Sequence, residues 1–147
     1  MKTVKQLLDA KGHNVWIIAP DASVYEALTL MADKDVGALL VLEAGKLVGI
    51  ISERDYARKV ILKGKFSKDT PVSEIMSTRL VYVRPEQTVE ECMALMTDRH
   101  IRHLPVLTDE QVVGIISIGD LVKAIISEQE FLIQNLQNYI MGSPKVS

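Results

Sequence analysis

Two short segments of the chain carry a serine followed three residues later by an aspartate. They read GIISERD, from Gly49 to Asp55, and GIISIGD, from Gly114 to Asp120. This spacing is typical of a helix start, where Ser and Asp satisfy exposed amides of the first turn. The same geometry suits a nucleotide, because a carboxylate can accept hydrogen bonds from a ribose diol and free amides can receive a phosphate. Capping and ligand binding can coexist, and the sequence leaves both open.

The two segments belong to a tandem duplication. Gly49 aligns with Gly114, and the same offset holds without a gap from about residues 15–61 to about residues 80–126. Roughly a third of the aligned positions are identical, which exceeds what chance gives in an ungapped match of this length. Each serine and aspartate therefore has an equivalent in the other copy.

Each copy predicts the order strand, helix, strand, strand, helix, which places the chain in the α/β (α+β) class with small sheets packed on helices. Helices begin after Ser23 and Thr88, because each hydroxyl is followed three residues later by a Glu. The other predicted elements are strands at residues 15–18, 38–42, 47–51 and 80–83, a second hairpin around residues 108–111, short leading helices near residues 4–8 and 71–76, and a last helix over about residues 118–141. Gly49 and Gly114 predict either a close approach of a ring to the backbone or a bulge.

Composition excludes several classes of protein. The chain has 147 residues, and its 17 Lys and Arg against 19 Asp and Glu argue against a main role in nucleic-acid binding. Its single cysteine, Cys92, excludes an internal disulfide and is predicted to lie in the core. The chain shows no signal-peptide pattern and no apolar run long enough to span a membrane, so we expect a cytoplasmic protein without membrane contact.

Catalytic and metal-site patterns are missing from the sequence. It contains no P-loop, no GxGxxG, no HExxH and no GxSxG motif. His100 and His103 have a spacing that could chelate a metal on a helix, but Pro105 favours a strand entry there. We therefore predict neither an enzyme nor a metal site.

The duplicated order and the motif resemble a CBS-domain pair, also called a Bateman module, of the stand-alone type. The resemblance covers about residues 4–126 and includes the second-copy segment RHLPV, residues 102–106. It implies a pseudo-twofold pair of repeats with two clefts between them. In this family the clefts often bind adenosine nucleotides, here with AMP expected first, and sometimes S-adenosylmethionine or NAD(H). It also implies a regulatory role toward a target protein.

The two expected clefts differ in chemistry. Arg54 aligns with Gly119, while Arg102 and His103 align with Gly37 and Ala38. We expect the two arginines and His103 to bind phosphate, because an arginine fork pairs with phosphate oxygens, and the small pair Gly37–Ala38 to leave room for a base or sugar. Solvation alone would also explain Arg54. The candidate ligand-binding residues are Gly37, Ala38, Ser52, Arg54, Asp55, Thr78, Arg102, His103, Pro105, Ser117 and Asp120.

The last helix carries an apolar stripe longer than one small core can cover. We therefore expect a homodimer in which this helix contributes contacts. The predicted organisation is a first repeat with its leading helix at residues 1–62, a linker at 63–71, a second repeat at 72–126 and a helical extension with a tail at 127–147. The rival to a nucleotide sensor is a ligand-free homodimeric scaffold.

Overall fold

The computed structural model describes residues 2–141 and contains both predicted repeats. The strand, helix, strand, strand, helix order is confirmed, with one strand much reduced. The helices are α1 (Val4–Lys11), α2 (Val24–Lys34), α3 (Glu53–Tyr56), which continues as the π-helical segment Ala57–Ile61, α4 (Val72–Ile75), α5 (Val89–Arg99) and α6 (Ile118–Ile140). The strands are β1 (Ile17–Ile18), β2 (Ala38–Glu43), β3 (Lys46–Ser52), β4 (His103–Thr108) and β5 (Gln111–Ser117).

Each repeat is built on an antiparallel hairpin. In the first repeat β1 pairs in parallel with β2, and β2 pairs antiparallel with β3. In the second repeat β4 pairs antiparallel with β5 in the same register. Leu39 and Val41 face the first core, while Leu40 points to the opposite face and is also fully buried. Both faces of β2 are therefore covered, which agrees with the unbroken apolar run of its residues 38–42.

The strand predicted at residues 80–83 is reduced to one bridge, between Val83 and Val106. In the first repeat, the Leu40 N–H donates to the Trp16 carbonyl at 3.1 Å. The aligned residue in the second repeat is Pro105, which has no N–H to donate. One ladder bond is therefore lost, and the prediction of a full strand there was wrong.

The leading helices pack on the repeat that does not follow them in the chain. Leu7 and Leu8 of α1 are buried in the core of the second repeat, and the Val4 N–H donates to the Gln87 carbonyl at 2.8 Å. Conversely α4 buries Val72 and Ile75 in the core of the first repeat. The two repeats are thus joined by reciprocal packing as well as by the chain between them.

Two equivalent glycines make room for the leading helices. A Cβ on Gly114 would lie 2.8 Å from both methyl carbons of Leu8, and one on Gly49 would lie 2.6 Å from the Met76 sulfur. The pairing of β2 with β3 shifts register next to Gly49, and β4 with β5 does the same next to Gly114. Of the two sequence interpretations, the bulge is confirmed, and the close neighbour is a side chain of the protein itself.

The last helix extends well past the second core. Leu121 and Ala124 are buried in that core, whereas Leu132, Ile133 and Leu136 are more than half exposed. The helix ends at Ile140, close to the predicted end. The tail predicted beyond it, residues 142–147, lies outside the described part of the chain.

Candidate functional site

Both Ser-x-x-Asp segments form the capping box that their spacing predicts. The Asp55 amide donates to Ser52 Oγ at 3.2 Å, and the Ser52 amide donates back to Asp55 Oδ2 at 3.0 Å. Ser117 and Asp120 make the same pair of bonds at the start of α6. Another first-turn amide, that of Glu53, donates to the Gly37 carbonyl at 3.1 Å. Fewer free amides therefore remain for a phosphate than the sequence suggested, and an anion would have to be bound by side chains.

Asp55 and Asp120 open into two separate clefts. The Asp55 cleft, which also includes Ser52, Arg102 and Pro105, has a volume of about 480 Å³. The Asp120 cleft, which also includes Ser117, is smaller, with a volume of about 370 Å³. Both volumes fall in the range of small-molecule sites. The two clefts implied by the family resemblance are therefore present, and both combine residues of the two repeats.

The Asp55 cleft is strongly cationic. Its cationic side chains are Arg54, Arg58, Lys59, Arg79 and Arg102, against the carboxylates of Glu53 and Asp55, which gives five positive and two negative formal charges. The four arginine side chains make no hydrogen bond or ion pair within residues 2–141. Lys59 is partnered, because its Nζ lies 3.4 Å from Asp55 Oδ1 and donates to the Ile75 carbonyl at 3.0 Å. Unpaired guanidinium groups around a concave site favour a phosphate ligand.

The wall of the Asp55 cleft also has an apolar part. Ile50, Leu80, Val81 and Ile101 line it beside the charged groups. Small-molecule sites commonly combine such an apolar surface with a few polar groups that fix the orientation of the ligand. The cleft can thus accommodate a flat ring and an anionic group in one molecule.

The Asp120 cleft is already occupied in part by the protein. Lys11, at the end of α1, donates from Nζ to Asp120 Oδ2 at 2.5 Å and to the Ile115 carbonyl at 2.9 Å. Burial raises the pKa of Asp120, but hydrogen bonds from Lys11 and Ser117 outweigh it, so this pKa lies below the usual value. The cleft also contains Asp35. No cation in it is left without a carboxylate partner among the described residues.

His103 and Gly37 line both clefts and form the ridge between them. Burial lowers the pKa of His103, and the neighbouring charges of Lys11 and Arg102 add to this, against the opposing effect of Asp120 and Asp55. His103 is therefore neutral at pH 7, a form in which one ring nitrogen can donate a hydrogen bond and the other can accept one.

Ten of the eleven sequence-predicted residues line one of the two clefts, and Ala38 lies only in the Asp120 cleft. Thr78 is the exception, because its side chain is exposed and lines neither cleft. Its neighbours Ser77 and Arg79 line the Asp55 cleft, as alternate residues of an extended segment do. Thr78 is therefore removed from the candidate set.

Sequence reasoning missed several cationic residues. Arg58 and Lys59 lie one helical turn after Arg54 and Asp55, so helical spacing could have found them. Lys11 and Arg79 occupy matching positions. They pair when α1 is aligned with α4 and the alignment is continued past the end of α4. Trp16 both contacts the first core and lines the Asp120 cleft.

Two negative findings hold for the described part of the chain. Within residues 2–141 no group of three His, Cys, Asp or Glu side chains could hold a metal ion. His100 ends α5 and His103 begins β4, so the two do not share a helix, as predicted. No helix over the same residues is long and apolar enough to cross a membrane.

Comparison with known proteins agrees with the duplicated fold. The family model described as "CBS domain" matches residues 5–62 and 72–127. The mitochondrial CBS domain-containing protein CBSX3 of Arabidopsis thaliana is 42% identical over 149 residues, which cover 95% of this chain and 72% of that protein. A protein with CBS domains from Burkholderia ambifaria MC40-6 is 50% identical with a TM-score of 0.85, covering 87% of this chain and 96% of the other.

A more distant solved structure carries ligands. The CBS domain pair of protein MJ0100, in complex with 5′-methylthioadenosine and S-adenosyl-L-methionine, is 25% identical with a TM-score of 0.77. The alignment covers 87% of this chain and 98% of that one. Since the family model matches both repeats and the relatives match most of the chain, the protein belongs to the CBS-domain family and contains a pair of CBS domains.

Proposed function

We propose that this chain is a regulatory sensor that binds an adenosine nucleotide, with AMP as the first candidate, in the Asp55 cleft. CBS-domain pairs are regulatory modules, and CBS-domain proteins are generally not catalytic. The observation that carries the proposal is the group of four unpaired arginines around the Asp55 carboxylate. Binding shifts the protein between two forms for which the nucleotide has different affinities, and a target protein reads the difference.

The parts of the Asp55 cleft fit the parts of a nucleotide. Arg54 and Arg102 bind the phosphate with paired N–H donors, and Arg79, which follows α4, adds a further positive charge. Asp55 Oδ2 is used in capping, but Oδ1 has only the 3.4 Å contact with Lys59 and can accept from the ribose hydroxyls. The apolar wall with Ile101 packs against the base.

The MJ0100 complex gives independent support. Both of its ligands contain adenosine, and that CBS domain pair has the same fold as this chain. S-adenosylmethionine is therefore an alternative ligand, and so is NAD(H), which contains the same adenosine half. The cationic cleft favours the ligands with phosphate over S-adenosylmethionine, because the latter adds a positive charge to an already positive site.

Calorimetric titration of the protein, freed of carried-over ligand, tests the proposal. AMP, ATP, NAD, NADH and S-adenosylmethionine are compared on the wild type, on Asp55→Ala, on Asp120→Ala and on Arg102→Ala. We expect AMP or another of the phosphate-bearing compounds to bind. Loss of Asp55 or Arg102 should weaken that binding at least about tenfold, or about 1.4 kcal/mol, because each removes a charge-assisted hydrogen bond.

Arg84→Ala is the matched control for the arginine variant. Arg84 is exposed and lines neither cleft, so its loss removes the same charge without touching the site. If Arg84→Ala and Arg102→Ala weaken nucleotide binding equally, the effect comes from net charge and not from a contact of Arg102 with the ligand. Silence of the wild type toward all five compounds would reject the sensor and leave the duplicated motif as a pair of helix caps.

A homodimeric scaffold is the second candidate function. It is favoured by the exposed apolar face of α6, which includes Leu132, Leu136 and Ile140. A symmetric dimer is the commonest way in which one chain covers such a face. The scaffold differs from the sensor in one observable, namely dimerisation without any response to a nucleotide.

We infer that the protein acts in the cytoplasm on an unidentified target protein. The relative from Arabidopsis thaliana is mitochondrial, so the compartment of this chain has to be determined by experiment. Imaging of a tagged chain in its own cell answers it directly.

A further inference from the structure

We propose that Lys11 is a built-in occupant of the Asp120 cleft, so that each chain binds one nucleotide, in the Asp55 cleft. The inference rests on the proposed function, since it concerns the ligand of the same module. It assigns different roles to two aspartates that the duplication makes equivalent.

Lys11 places its ammonium group against the carboxylate that a ribose would need. Its Nζ lies 2.5 Å from Asp120 Oδ2, the same oxygen that accepts the Ser117 amide at 2.9 Å. The side chains of Lys11 and Asp120 are 32% and 23% exposed, so the pair is partly withdrawn from water. A nucleotide that reaches Asp120 Oδ2 must displace this ammonium group and leave a partly buried carboxylate without its cation.

The position of Lys11 is fixed by the packing of its helix. Leu7 and Leu8, in the turn before it, are almost fully buried in the second core. The helix ends at Gly12, whose N–H donates to the Leu8 carbonyl at 2.7 Å. Nζ also donates to the Ile115 carbonyl, which gives the ammonium a second anchor on β5. Lys11 is thus held by two contacts on a rigid element.

The Asp55 cleft has no equivalent block. Arg79 occupies the position that matches Lys11, and it makes no hydrogen bond or ion pair within residues 2–141. Within residues 2–141 the only cation in contact with Asp55 is Lys59 at 3.4 Å, on the same helical segment and 40% exposed. Asp120 Oδ1 has no hydrogen-bond partner within residues 2–141, so the two aspartates differ in the ammonium group held 2.5 Å from Asp120 Oδ2, which has no counterpart at this distance on Asp55.

The charges of the two clefts also favour a nucleotide in the Asp55 cleft over one in the Asp120 cleft. The Asp120 cleft contains one cation, Lys11, against Asp120 and Asp35, so its formal charge is negative when His103 is neutral. A phosphate there would meet net repulsion, while the Asp55 cleft offers four unpaired arginines. The charges thus favour the Asp55 cleft for a phosphate, while Lys11 blocks access to the Asp120 carboxylate.

Titration calorimetry of the full chain with AMP, ATP and NAD tests the inference through the number of sites. We expect one site per chain in the wild type. Lys11→Met retains the length and apolar stem of the side chain without the charge. Because the cleft then becomes more negative, we expect this variant to add a second, weaker site for uncharged adenosine, titrated beside the nucleotides, rather than for AMP. Lys5→Met is the matched control, because Lys5 lies on the same helix, pairs with Asp9 on the exposed surface and lines neither cleft. It should retain one site.

A double variant identifies the cleft that has opened. Asp55→Ala with Lys11→Met should retain only the new site. Circular dichroism checks that the variants are folded. If Lys11→Met is not folded, Lys11→Gln replaces it. Two sites in the wild type would reject the inference whichever variant is used. Two sites in the wild type, or one site in Lys11→Met, would overturn the inference and leave the proposed sensor intact. If neither the wild type nor any variant binds a ligand, both the inference and the proposed sensor are rejected. If the wild type does not bind but Lys11→Met does, Lys11 blocks the Asp120 cleft as inferred, and the Asp55 cleft is rejected as the binding site.

Discussion

At the scale of single residues, His103 connects the chemistry of the two clefts. It faces the carboxylates of Asp55 and Asp120 and the cations of Lys11 and Arg102, and it lines both cavities. Burial is the largest influence on its pKa and lowers it. Any change that brings a proton to this ring adds a positive charge between the clefts.

The lowered pKa of His103 predicts a pH dependence of stability. Because the unfolded ring binds a proton below about pH 6.5 and the folded ring binds it only at lower pH, the free energy of unfolding falls as pH falls below 6.5. The stability is fully present above that pH. Urea unfolding at pH 7.5 and pH 5.5 should show a smaller loss in His103→Gln than in the wild type.

His13→Gln controls for the removal of any histidine. His13 is exposed and its contact with Asp9 lies on the surface, where such pairs contribute little. Its pH dependence should follow the wild type. If His103→Gln loses as much stability on acidification as His13→Gln, the titration responsible lies elsewhere.

At the scale of elements, two glycines decide how closely the leading helices approach the sheets. A methyl group on Gly114 would overlap the buried Leu8 side chain, and one on Gly49 would lie 3.0 Å from the Ser77 carbonyl oxygen. We expect Gly49→Ala and Gly114→Ala each to lower the free energy of unfolding by about 1–3 kcal/mol, as overpacking does. Chemical denaturation measures both.

Gly119→Ala is the control for these substitutions. Gly119 lies in the first turn of α6, and its Cβ would be 3.7 Å from the nearest atom, Ser117 Oγ. Alanine is the better helix residue by about 0.5–1 kcal/mol, so this variant should be as stable as the wild type or more stable. A tolerated Gly114→Ala would mean that Leu8 can move, and that α1 is held less firmly than its burial indicates.

The sequence predicted most elements because local signals fix their starts. Ser23 and Thr88 accept from the amides of Glu26 and Glu91, and both helices begin where the capping pattern places them. The strand at residues 80–83 failed because its partner carries Pro105, whose missing N–H matters only once the pairing is known. The arginines near Asp55 could be predicted in part, whereas the Lys11 contact spans most of the chain and depends on three-dimensional packing.

At the scale of the whole molecule, the exposed face of α6 predicts self-association. Leu132, Leu136 and Ile140 lie on one side of the helix, each more than half exposed. We expect a homodimer, and Leu136→Arg should shift it toward the monomer in sedimentation velocity, because the charge must be buried or the contact given up.

Gln134→Arg places the same charge on the opposite side of α6. Gln134 is exposed, and its side chain donates a surface hydrogen bond to Asn138. This variant should sediment like the wild type. A dimer that survives Leu136→Arg unchanged would exclude this face as the interface.

The reciprocal packing of the leading helices has a consequence for the order in which the protein matures during synthesis. The first core is complete once Ile75 has left the ribosome, since its last helix is α4. The second core needs Leu121 of α6, so α1 must wait with Leu7 and Leu8 uncovered while more than a hundred later residues are made. The earliest helix of this stretch is therefore among the last to dock, and its apolar face is the segment on which a chaperone would act in the nascent chain.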